Sequence, residues 1–222
     1  MGEGASPGEA DPGGHTALLS MNTEVAALLG QCLLRLQYSE VMLKALVAEW
    51  GFSGSPESLG KSQAKRRQKV QMMTLGGLVS EFLRSGLGGG AGGAPEEEAS
   101  PPSEGASVSV KFGIDYPPET LVQIESELRE MVALRNHLVH GFLAAHDLTS
   151  VEGCGRARDR LQEDLARIDR HRAQVKRWAE EFQELRKQTG LRLQDPAVVK
   201  RLTSGEGGDL TLALKPSGDG RG

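Results

Sequence analysis

"LVQIESELREMVALRNHLVHGF", residues 121–142, decides the fold. Leu121, Ile124, Leu128, Met131, Leu138 and Phe142 fall at helical spacing, which lines one face of an α-helix with apolar side chains. Arg135 falls on the same stripe, where the seam calls for Leu or Ile. An unpartnered guanidinium in an interior costs on the order of several kcal/mol. Arg135 must therefore meet a carboxylate, reach solvent at a cleft, or face a second subunit across a wet interface. Asn136 and His140 are four apart and share a helix face. Arg135 and His140 are five apart, which separates them by roughly 140° in a regular helix. They converge on one ligand only if the helix bends or ends nearby, or if a second copy supplies the other half.

Working outward, "YPPET" places two prolines where a helix can begin. Before it, Val108, Val110, Phe112 and Ile114 alternate as in a short strand. The first helix opens at Thr23 and Glu24, carries Val25, Leu29, Cys32, Leu36, Leu43, Leu46 and Trp50, and ends in the turn residues "GFSGSP". The second runs from about Lys61 to Arg84, with a basic start and Val70, Met73, Leu78, Phe82 and Leu83 later. After the third helix, "DLTSVEGCG" breaks the pattern. The fourth spans about Arg156 to Lys187, with Leu161, Leu165, Ile168, Arg172, Val175, Trp178, Phe182 and Leu185 on its stripe. Asp195 and Pro196 can cap a short further helix, and "DLTLALK" alternates as a strand able to pair with residues 107–114.

These segments predict an all-α fold, an up-down bundle of four long helices with at most a minor two-stranded β-ribbon. Residues 1–19 are expected to be a disordered tail and 20–188 the bundle. A flexible acidic linker is expected at 86–106, and 189–222 form a C-terminal tail with a short helix and a strand.

The chain has 222 residues and a formal net charge of −4, so bulk charge does not advertise nucleic-acid binding. Aromatic residues are only 4%, which argues against a sheet-rich protein. Cys32 and Cys154 are two cysteines without metal-ligand spacing, read as free thiols in a reducing compartment. The N-terminus lacks a basic n-region and an apolar core, and "MGEGAS" matches the myristoylation pattern only loosely. No apolar run looks long enough to span a membrane. A soluble cytoplasmic protein without membrane contact is expected. No Walker loop, HExxH, GxSxG or paired zinc-ligand cluster occurs.

"RNHLVH", residues 135–140, fits an Arg-x4–6-His motif with a polar residue directly after the Arg. In this setting it resembles the HEPN superfamily, helical-bundle domains that include many metal-independent RNases. "FLAAHDLTSVEGCGRARDRLQEDL" is similar to small bacterial HEPN-like proteins. The motif covers six residues and the helix layout about 22–188. The resemblance implies a homodimer in which the Arg and His motifs of both subunits meet at one cleft. Arg135 would neutralise the scissile phosphate, His140 would move protons between the 2′-OH, the leaving 5′-oxygen and solvent, and Asn136 would orient the His or the phosphate. An imidazole suits that work because it titrates near working pH. A fixed guanidinium suits the charge that grows on the phosphorane. No cofactor and no metal is implied. RNA is the expected substrate, and the protein partner would be an antitoxin or a nucleotidyltransferase. Toxin-type members often carry Tyr two residues after the His, and Phe142 stands there instead.

Plainer readings stand beside these. Arg135 can be a structural ion pair, and His140 can bond the last carbonyls of its helix. His137 reads as a surface or interface residue and His146 as a loop hydrogen-bonding group. Arg172 reads as a partner for a bundle carboxylate. Lys61, Lys65, Arg66, Arg67 and Lys69 form a run without acids at a helix start, against the helix dipole, which hints at an anionic partner. A toxin or defence endoribonuclease is the first functional expectation. The alternative is a non-catalytic HEPN-like module that binds RNA, a nucleotide or a protein, and a third reading is a plain dimeric scaffold.

Overall fold

The computed structural model describes residues 12–54, 58–86, 108–114, 116–192, 194–197, 200 and 209–214. The described chain is predominantly α-helical, in keeping with the helix-forming composition of its periodic segments. In chain order the elements are α1 (Pro12–Glu49), β1 (Gly51–Gly54), α2 (Leu59–Gln71), α3 (Leu75–Gly86), β2 (Val108–Ile114) and α4 (Pro118–Asn136). A π-helical turn (His137–Gly141) follows, then α5 (Phe142–Ala145), α6 (Val151–Arg192) and β3 (Asp209–Leu214).

The chain divides into two compact units, Met1–Leu36 with Ala133–Arg170, and Gln37–Val132 with His171–Gly222. α1 and α6 pack together within each. In the first unit Cys32 Sγ lies 3.7 Å from the Leu161 carbonyl oxygen, and Arg35 pairs with Asp169. Val25, Leu36, Leu138, Phe142 and Ile168 are buried there. Asp147 organises the entry to α6. Its carboxylate accepts from the Thr149 amide and hydroxyl at 2.9 and 2.6 Å and from the Ser150 hydroxyl at 2.7 Å. Ser150 Oγ then accepts the Gly153 amide at 3.1 Å, an N-cap arrangement. A Cβ at Gly153 would overlap the Asp147 carbonyl oxygen, so glycine is required there.

In the second unit Trp50 stacks on Phe182 at 5.3 Å and meets Phe82 edge-on at 5.2 Å. Phe112 meets Phe182 edge-on at 5.3 Å. Trp178 donates to the Tyr116 hydroxyl at 3.1 Å. Gly86 ends α3 against the Trp50 ring, where a Cβ would come within 2.7 Å of ring carbons. β1 pairs antiparallel with β2, and β2 pairs parallel with β3 in the register Ser109↔Asp209 to Ile114↔Leu214.

Several expectations are corrected. The tail expected over 1–19 is helical from Pro12; residues 1–11 lie outside the described residues, as does the 86–106 linker beyond Gly86. "GFSG" is a strand rather than a turn, so the expected two-stranded ribbon has a third member. A pair of strands alone is marginal, and β1 follows directly from buried Trp50, which holds it against β2. The single helix expected from Lys61 to Arg84 breaks at Met72–Thr74. Thr74 caps α3, its hydroxyl accepting from the Gly77 amide at 3.3 Å, and the Gly76–Gly77 pair is too poor a helix former to carry one helix through. The fourth helix is longer than expected, Val151–Arg192. Beyond it the Asp195 carboxylate accepts the Ala197 amide at 2.9 Å, the predicted cap. Lastly, α1 contains a stretch within Gly13–Glu49 of mean hydropathy 1.4 that by length and composition could cross a membrane, against the reading that no such run exists.

Candidate functional site

The motif sits where α4 gives way to the π-helical turn, entirely in the first unit. The apolar stripe does not use Arg135. Leu134 is buried instead, and Arg135 is half-exposed beside it. A buried ion pair is therefore not required. Arg135 Nη1 donates to Asn136 Oδ1 at 3.4 Å, and no carboxylate pairs with it among the described residues. Asn136 and His140 are both exposed.

The turn has a packing cause. Leu134 and Phe142 are eight residues apart, roughly 80° out of phase in an uninterrupted α-helix. A turn closed by i→i+5 bonds absorbs one surplus residue. Leu134, Leu138 and Phe142 are then all buried. The same adjustment acts on the polar side, where it narrows the ~140° that an α-helix would put between Arg135 and His140. No hydrogen bond joins His140 to Arg135 or Asn136 among the described residues. Val139 and Leu143 flank His140 and are exposed, Leu143 at 76%.

His137 turns the other way. Its ring lies over Gly141, where a Cβ would stand 3.0 Å from His137 Nδ1. It faces the His146 ring edge-on at 6.4 Å, and His146 packs on Phe142 at 4.6 Å. Burial holds the His146 imidazole below its ordinary value, the charges of His137 and Arg160 lower it further, and Asp164 opposes them. His137, expected as a surface or interface residue, is half-buried with its ring against His146, where glycine at 141 leaves it room.

Asp164 was not singled out by the sequence. It is fully buried, and its carboxylate oxygens accept no hydrogen bond among the described residues. Arg160 Nε and Arg167 Nη1 lie 3.4 and 3.5 Å away. Its signal was spacing: Leu161, Asp164 and Ile168 continue a three-four period, and Leu165 beside it is only half-buried. Arg172 is exposed and stands over the Tyr38 ring at 5.9 Å rather than meeting a bundle carboxylate. Phe142, where a Tyr hydroxyl would stand in toxin-type HEPN proteins, is a core residue. Among the described residues no three His, Cys, Asp or Glu side chains gather as a metal site would require.

No family model matches the chain, and neither a curated protein nor a solved structure matches it.

Proposed function

We propose that the chain is a HEPN-type metal-independent endoribonuclease, an up-down helical bundle that cuts RNA at a composite site formed by two copies. Arg135 binds the scissile phosphate and offsets the charge that grows on it. His140 takes the 2′-OH proton and delivers one to the leaving 5′-oxygen. Asn136 holds the phosphate or the guanidinium in register. The products are a 2′,3′-cyclic phosphate and a 5′-OH. In the cell such an activity would serve as a toxin or defence effector restrained by a protein partner.

The observation that carries this reading is the π-helical turn at His137–Gly141. It overlaps the motif from His137 to His140, and single π turns inside α-helices recur at functional sites. It leaves Arg135, Asn136 and His140 open to solvent and free of carboxylates among the described residues. The exposed Val139 and Leu143 beside them give a second copy apolar surface to cover.

The test is incubation of the purified chain with total RNA in EDTA, alongside His140→Ala and Arg135→Ala. Cleavage by the wild type with cyclic-phosphate ends, reduced by about 10²-fold or more in either variant, is the expected result. Intact RNA in every tube, with RNA or nucleotide still bound, would replace the nuclease by a non-catalytic HEPN-like binding module.

A further inference from the structure

α2 carries Lys61, Lys65, Arg66, Arg67 and Lys69 and no acidic residue. Two of these cations are committed within the second unit. Arg66 donates from Nε and Nη2 to the Val47 carbonyl oxygen at 3.2 and 3.0 Å, which satisfies the C-terminal end of α1. Arg67 pairs with Glu49 at 3.1 Å. Lys61, Lys65 and Lys69 are exposed and have no ion pair or hydrogen bond among the described residues.

Their spacing puts the three ammonium groups on one helix face, with a rise of ~6 Å from one to the next. Within the chain only Lys69, in the last turn of α2, is favourably placed for the helix dipole; the rest of the row costs stability. Like charges four apart repel, and Lys61 in the first turn opposes the helix dipole. Nor does Ser58, the cap residue, supply a side-chain hydrogen bond there. In α6 five cations, Arg156, Arg158, Arg160, Arg167 and Lys176, each have a carboxylate within 3.5 Å, while Arg172 stands over the Tyr38 ring and Arg177 donates to Gln174.

We infer that Lys61, Lys65 and Lys69 form a docking row for the phosphate backbone of single-stranded RNA. The rise between lysines is close to the separation of successive phosphates along an extended strand. Lysine suits the role as a flexible point charge that reads phosphate without base specificity. An anionic membrane fits less well, because a helix lying in a bilayer surface presents a broad apolar face. Here Ala64 and Gln68 stand exposed among the lysines, while Val70 is turned into the core. The inference shares with the proposed function only the choice of RNA as partner. It concerns binding and does not depend on cleavage.

The experiment uses the full chain carrying His140→Ala, so that the probe survives. The probe is a fluorescein-labelled oligouridylate followed by anisotropy across a salt series. Combining Lys61→Gln, Lys65→Gln and Lys69→Gln should weaken binding at least ~10-fold at low salt. It should also make the slope of log K against log salt shallower by about 2, since three contacts each contribute ~0.7 on a single strand. Lysine-to-arginine changes at the same positions should retain binding, and helicity should stay unchanged throughout. An unaltered slope in the glutamine variant overturns the inference. So does a chain that binds phosphatidylserine vesicles through these lysines and ignores the oligonucleotide. Cleavage of total RNA by the otherwise wild-type chain is scored separately, so an inactive motif and an idle lysine row give different results.

Discussion

Burial pushes the Cys32 thiol up to about 11, with Asp164 adding to the rise and Arg35 opposing it. The thiolate is the reactive form, so alkylation of Cys32 at pH 8 should run about 100-fold slower than for a free cysteine, a rate that mass spectrometry of timed quenches measures. The unfolded chain releases that proton near 9.0 and the folded chain holds it to about 11, so stability should fall as pH rises across that window. His146 behaves in the opposite sense. Its folded value is lowered from 6.5 by burial, then by the charges of His137 and Arg160, so the unfolded chain takes up the proton first. Stability should therefore decline as pH drops below 6.5 toward the folded value. Melting temperatures at pH 7 and 5 should show a smaller difference in His146→Gln, and an equal difference would remove His146 from the account. Asp164 occupies an apolar seam with no hydrogen bond to its carboxylate among the described residues, while Arg160 and Arg167 beside it keep access to water. Asp164→Leu should raise the melting temperature, because replacing a poorly satisfied buried charge by an apolar side chain is often neutral or stabilising by about 1–4 kcal/mol. A stabilised but inactive variant would show that the carboxylate is kept for function. Leu134 beside Arg135, and Asp164 beside Leu165, mark where the sequence was ambiguous. At each pair either neighbour satisfies a helical period, and only the packing face decides which one is buried.

At the scale of elements, the long helices were legible because their apolar positions recur at three-four spacing over many turns. Their interruptions were not. Counting Arg135 on the stripe makes residues 121–142 a self-consistent α-helix, so the π turn leaves no trace in periodicity. Thr74 has the chemistry of a cap, but Val70, Met73 and Leu78 on either side read as one helix. "GFSG" has one aromatic, Phe52, between glycines and a serine and no β-branched residue, too little to advertise a strand, and becomes one only because β2 lies alongside. If the π turn is one surplus residue absorbed between Leu134 and Phe142, deleting exposed Val139 should let a plain α-helix keep both inside. The loss of stability should be smaller than the ~3–5 kcal/mol expected for Phe142→Ala. Arg135 and His140 are then four residues apart, ~40° in a plain α-helix, so RNA cleavage should be retained within about tenfold. Denaturant melts and the cleavage assay read the two effects separately. A deletion that unfolds the chain would mean the turn is integral to the packing rather than a removable excess.

For the molecule as a whole, neither the division at Leu36/Gln37 nor the sharing of α1, α4 and α6 between two compact units was visible in sequence. Both depend on which distant side chains meet. The motif's place in the first unit matters for assembly, because Val139 and Leu143 expose apolar surface next to Asn136 and His140. If a second copy covers that surface, the wild type should sediment as a concentration-dependent dimer. Leu143→Glu should shift it to monomer at least ~10-fold more readily, and the monomer should keep its helicity because Leu143 is 76% exposed. A two-fold dimer brings the same patch of each copy to the axis, so a composite cleft contains Arg135 and His140 from both. Arg135→Ala and His140→Ala, each inactive alone, should then recover cleavage when mixed and allowed to exchange. About half of the dimers would be mixed by random pairing, and each would hold one intact guanidinium and one intact imidazole. Recovery that follows the appearance of mixed dimers by native mass spectrometry places the chemistry at the shared axis. Exchange without recovery would mean that each subunit needs its own Arg135 and His140 together, and the second copy would then serve the fold or its regulation rather than the reaction.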